Sequence, residues 1–119
     1  MSTKYLKNIA PEQALELTGL VEYRQGQVIS RTLAQNGAVS LTLFSFDQGE
    51  EISTHASDGD AMLTVLEGSA RITIGGKPHV LAQGQTIVMP AEIPHAVAAE
   101  SQFKMLLTVV FPLDSEKQN

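Results

Sequence analysis

The feature that most constrains this chain is the even spacing of its turn signals. Arg24-Gln25-Gly26, Gln35-Asn36-Gly37, Asp47-Gln48-Gly49, Ser57-Asp58-Gly59, Glu67-Gly68, Gly75-Gly76-Lys77-Pro78, Gln83-Gly84 and Pro90-Ala91-Glu92 succeed one another at intervals of roughly ten residues. Between them lie short runs rich in Val, Ile, Leu, Thr and Phe: QVISRTL, AVSLTLFSF, AMLTVL, ARITI, HVLA, QTIVMP, HAVAA and FKMLLTVVF. Branched and aromatic side chains suit a pleated, half-buried surface, whereas Gly, Asn and Asp supply the backbone conformations of tight turns. Strands this short, with no helical stretch between them, predict an all-β sandwich or barrel. Only APEQALEL near the N-terminus competes. Pro11 suits a first helical turn, but the apolar residues are too sparse for a helical face, so helix and extended edge strand stay open there.

Composition narrows the function classes. The chain has 119 residues, enough for one domain with a core and near the size where self-association helps. We read residues 1–112 as that domain and 113–119 as a polar tail. Hydrophobic residues make up 43% and charged residues 18%, a globular balance with no apolar run long enough to span a membrane. The net charge of −5 and the lack of a basic stripe argue against a nucleic-acid partner. No cysteine is present, which removes disulfides and thiolate chemistry. The opening MSTKYLKNIAPEQ has no apolar segment of the signal-peptide kind, so a cytoplasmic location is expected.

Alternation assigns faces. In FKMLLTVV, Phe103, Met105, Leu107 and Val109 share one face, and Lys104, Leu106, Thr108 and Val110 the other. The second face is also partly apolar, as in a barrel strand at a dimer interface, so a homodimer is expected. In AMLTVL, Ala61, Leu63 and Val65 oppose Met62, Thr64 and Leu66. Either face gives a mostly apolar lining, suited to a small, partly hydrophobic ligand.

Two segments carry a more specific pattern. Gly49 is followed after five residues by His55, in a stretch read as a polar loop, and Gly68 closes the segment. Gly84 is followed after five residues by Pro90, then Ala91, Glu92, Ile93, Pro94 and His95. In order and spacing these resemble the two signature motifs of the cupin superfamily, with Glu92 standing where glycine is usual. The resemblance implies a double-stranded β-helix, or jelly-roll barrel, of the RmlC-like kind, often homodimeric.

In metal-binding cupins the ligands are two histidines and a carboxylate of the first motif and one histidine of the second. Carried over by position, these fall on His55, Ser57, Ala61 and His95, so two of the four ligands are absent. Asp60 stands beside the vacant carboxylate place. A slip or bulge at Gly59 would bring it in, giving a two-histidine, one-carboxylate set of the non-haem iron type. A one-residue slip would also turn Met62, Thr64 and Leu66 inward.

Two functions follow. The first is a small-molecule-binding cupin with a degraded metal site and a pocket lined by Ser57, Ala61, Leu63 and Met105. The second is a metal-dependent oxygenase or isomerase in which His55, His95 and Asp60 hold Fe, Mn, Ni or Zn. No catalytic residue is assigned. His79 lies outside both motifs and reads as a surface strand residue, and Arg24, Arg31 and Arg71 as surface charges.

Overall fold

The computed structural model describes residues 3–113. Nine strands follow one another: β1 (Val28–Gln35), β2 (Val39–Phe46), β3 (Glu51–His55), β4 (Asp60–Glu67), β5 (Ser69–Ile74), β6 (Lys77–Ala82), β7 (Thr86–Met89), β8 (His95–Ala99) and β9 (Phe103–Val110). They form two antiparallel sheets, one in the order β1-β2-β9-β4-β7 and the other β3-β8-β5-β6. Eight of these strands coincide with the apolar runs of the sequence. The ninth, β3, occupies EISTH, which its polar composition marks as loop. It lies at a sheet edge with only Ile52 packed on the core, so it carries almost no hydrophobic signal. His55 is therefore the last residue of a strand, not part of a loop.

The sheets pack face to face over one core. Phe46, Leu63, Val65, Phe103 and Met105 from the first sheet meet Ala70, Ile72, Leu81 and Val97 from the second. The Phe46 and Phe103 rings stack with centroids 4.5 Å apart, adding a ring-on-ring term to the area they bury. Burial settles the alternation in β4: Ala61, Leu63 and Val65 point inward, and Met62 points out to solvent.

A second, smaller cluster lies on the outer face of the five-stranded sheet. Ile9, Leu17, Leu20 and Val21 of the N-terminal segment cover Leu33, Leu41, Leu43, Leu66 and Leu106. The segment APEQALEL is neither helix nor paired strand. It runs irregularly into a short 3-10 turn at Leu17–Leu20, because Leu17 and Leu20 dock on the sheet instead of on a helical face of their own, while Leu15 stays exposed. This strap explains half of the apolar second face of β9: Leu106 is covered by the chain itself. The other half stays open, with Met62, Val88 and Val110 exposed.

Side chains of the sheet tie the strap down through its carbonyls. Arg31 donates from Nε to Asn8 (2.7 Å) and from Nη1 to Leu20 (3.0 Å). Lys104 donates to Thr18 at 2.6 Å, and Ser45 to Glu22 at 2.6 Å. Lys104 also lies 4.8 Å from the Tyr23 ring centroid, and Tyr23 donates its hydroxyl to Glu67 at 2.5 Å. Burial and the Glu67 carboxylate push the Tyr23 hydroxyl above its ordinary value. Arg31 is thus half-buried structure, not free surface charge. Arg31→Met is expected to cost about 2 kcal/mol, since two charge-assisted hydrogen bonds are lost. Thermal unfolding measures the loss, and limited proteolysis should cut first within the freed strap.

Among the described residues no helix is long and apolar enough to cross a membrane.

Candidate functional site

The chain's own path assembles the site. Strand β3 ends at His55, and the loop 56–59 carries the chain across to Asp60 and Ala61 at the start of β4. Strand β7 ends at Met89, and the turn 90–94 carries it back to His95 at the start of β8. Ala61 pairs with both Met89 and Val109, so these three residues wall the same end of the barrel on the inner face of the five-stranded sheet. The two connections are stitched together: the Glu92 N–H donates to the Ser57 carbonyl at 2.8 Å. On the opposing sheet, His55 and His95 are direct cross-strand partners. Their ring centroids are 4.4 Å apart, with the ring planes at 68°.

Each imidazole is oriented by the backbone two residues before it. His55 Nδ1 lies 2.9 Å from the Ser53 carbonyl oxygen, and His95 Nδ1 lies 3.2 Å from that of Ile93. A carbonyl oxygen only accepts, so Nδ1 is the donating nitrogen in both rings, and the neutral form of either imidazole then has its lone pair on Nε2. His95 is 4% exposed, and burial is the largest cause that holds its pKa below the ordinary histidine value. The Ile93 carbonyl opposes that shift and the neighbouring His55 adds to it. His55 stands at the solvent side of the pair.

The other residues of the pattern do not join them. Ala61 faces inward at the carboxylate position with no donor atom. Ser57 accepts the Gly59 N–H on its hydroxyl oxygen at 3.1 Å. Asp60 is on the outer face of β4, where its carboxylate accepts the Ala91 N–H at 2.8 Å and fixes the 90–94 turn. The strand keeps the register that turns Ala61 inward. A residue at Gly59 with any side chain would meet the Val110 carbonyl at 2.6 Å, so the loop passes too close to β9 for a longer excursion. Leu63 and Met105 face inward but are sealed in the core at 0% and 1% exposure. His79 is half-buried on β6, separated from His95 by β5. Arg71 pairs with Glu100 at 2.8 Å.

Four surface cavities of about 260 to 430 Å³ border the molecule, and none of these four is lined by His55 or His95.

As a metal site the donor set is incomplete. Among the described residues no three His, Cys, Asp or Glu side chains converge. Two imidazole nitrogens fall short of the three or four protein ligands usual for zinc or non-haem iron.

The motif glycines have structural reasons. Gly49, Gly68 and Gly84 all have positive φ, at +86°, +78° and +86°. Glu92 adopts the same left-handed conformation, at φ +69°, within the turn closed by the Ile93 N–H to the Pro90 carbonyl. Side chains rarely accept that conformation, which is why glycine is usual there. Glu92→Gly is accordingly expected to raise stability by about 0.5 to 1 kcal/mol, read as a higher melting temperature.

A family model for the Cupin domain matches residues 42–111, from β2 to just beyond β9.

The chain is a cupin.

Its likeness to solved structures is close. A conserved protein of unknown function from Streptococcus pyogenes is 49% identical, with 95% of this chain and 99% of that one covered and a TM-score of 0.92. A cupin superfamily protein from Desulfitobacterium hafniense is 37% identical over 92% of this chain and 100% of that one, with a TM-score of 0.87. A cupin 2 conserved barrel domain protein from Leptotrichia buccalis is 41% identical over 81% of this chain and 47% of that one, with a TM-score of 0.80. No curated protein matches. What sequence reasoning missed in this cupin is the pair of backbone carbonyls, Ser53 and Ile93, that orient the rings. Every residue carries a carbonyl, so no residue type signals them.

Proposed function

We propose that this cupin binds a small, partly apolar organic molecule at the barrel end where His55 and His95 meet, and that its ancestral metal site is reduced to those two histidines. The observation that carries this reading is the pair itself. Two imidazoles packed edge to face, each with Nδ1 on a backbone carbonyl, stand at one end of the barrel, with alanine where a carboxylate ligand belongs. Polar groups few in number and fixed in direction, set in an apolar surround, are what orient a small ligand. Metal analysis of protein purified without chelators is expected to find well under one equivalent per chain. A tightly held stoichiometric metal overturns the reading.

A second reading, a metal-dependent oxygenase or isomerase using His55, His95 and Asp60, is favoured by the Nδ1 contacts. Metal-binding imidazoles are commonly oriented through such bonds to carbonyl oxygens. It requires Asp60 to leave the Ala91 N–H. Under it, His55→Ala and His95→Ala each abolish metal uptake, and full occupancy in both variants ends it.

We further propose a cytoplasmic homodimer, with the uncovered outer stripe of Met62, Val88 and Val110 as the surface a partner copy covers. Sedimentation at the monomer mass of 12.8 kDa contradicts that assembly.

A further inference from the structure

We infer that the His55–His95 pair selects an uncharged hydroxyl group, so that the ligand of this cupin is a small alcohol or phenol with an apolar body and not a carboxylate or phosphate. This rests on the small-molecule reading above and specifies its ligand class. The two Nδ1–H groups are both spent on the Ser53 and Ile93 carbonyls. What remains on each ring is an acceptor. Two acceptors beside one another attract a donor and repel an anion, whose oxygens present only lone pairs.

The charges around the pair do not reverse that preference. Arg71 is held by Glu100, and Lys104 by the Thr18 carbonyl on the outer face of the other sheet. Lys77 faces Ile74, which in turn faces His95, so the Cα atoms of Lys77 and His95 lie two strands apart, about 10 Å at ordinary strand spacing, and the Lys77 side chain is exposed to solvent. An anion at the histidines would gain little from it. An ammonium group offers donors too, but the partly buried Ile74 beside His95 is apolar and would strip part of its hydration without supplying a counter-charge. A neutral hydroxyl donates its one proton to one Nε2 at the lowest desolvation cost, the other Nε2 turning to water on the exposed side of the pair, and its carbon skeleton lies against the partly buried Ile74.

The test uses three ring compounds of similar size with the wild-type protein at pH 7.5. Cyclohexanol donates and accepts, cyclohexanone only accepts, and cyclohexanecarboxylate carries a charge. Nitrogen-15 spectra of the histidine side chains report both the tautomer and ligand contact. Both rings are expected to carry the proton on Nδ1, and cyclohexanol to move the Nε2 resonance of the ring that accepts its proton. Cyclohexanone is expected to bind about tenfold more weakly, the loss set by acceptors left unpaired on binding. The carboxylate should be weaker again. Equal affinity for alcohol and ketone, a preference for the carboxylate, or a proton on Nε2 of either ring overturns the hydroxyl assignment and leaves the binding reading standing. Binding of none of the three overturns both.

Discussion

Replacing Gly68 by alanine is expected to destabilise the fold by about 4 kcal/mol and to lower its melting temperature by roughly 15 °C. The backbone there has φ +78°, which for an L residue alone costs about 1 to 2 kcal/mol. The larger cost is steric. A Cβ on Gly68 would lie 2.1 Å from the Gln102 carbonyl oxygen and 2.8 Å from Cα and Cβ of Phe103. Those atoms cannot retreat freely, because Phe103 is sealed in the core and stacked on Phe46. Gly49 is the control. Its φ is +86°, but nothing stands within 4 Å of its would-be Cβ. Gly49→Ala should therefore cost only about 1 kcal/mol, the conformational part. Equal losses for the two variants in chemical denaturation would show that the contact with β9 contributes nothing.

The double change Ser57→His with Ala61→Glu is expected to convert metal binding from well under one equivalent to about one per chain. Ala61 faces inward at the end of the barrel where both connecting loops deliver the histidines, so a carboxylate there enters the donor set that Asp60 does not reach. The same position is 2% exposed, and a carboxylate without a counter-ion is unwelcome in it. Without metal the variant should accordingly melt lower than the parent, by about 2 to 3 kcal/mol in stability. Added Zn²⁺ should restore the loss, since a ligand that binds only the folded state stabilises it. Elemental analysis and melting curves with and without zinc read the two effects. A variant that stays metal-free and melts like the parent would show that Ala61 does not occupy a ligand position.

Much of the barrel is legible in the residues, and the reason is periodicity. Phe103, Met105, Leu107 and Val109 repeat every second position and pack in the core, Leu107 only partly buried, and Ala61, Leu63 and Val65 repeat likewise and are all buried. Where that signal fails, burial itself is one-sided or absent. The edge strand β3 packs only Ile52 on the core, and its other residues look like loop. The leucines of the N-terminal strap follow neither helical nor strand spacing, because the surface they fit belongs to β1, β2, β4 and β9. That strap also changes how the second face of β9 is read. Leu106 is covered from within the chain, and the open apolar surface is confined to the neighbourhood of Met62, Val88 and Val110.

By itself the sequence determined the β architecture and set His55 and His95 in the two cupin-like motifs, because these depend on spacing and residue type. Only the tertiary structure decided that Ala61 and not Asp60 faces inward, since that follows from the register of β4 against β7 and β9. It also decided which nitrogen of each imidazole faces the backbone, since that is set by carbonyl groups every residue possesses. A side chain's identity is written in the chain, but the direction in which it is satisfied depends on what folding places beside it.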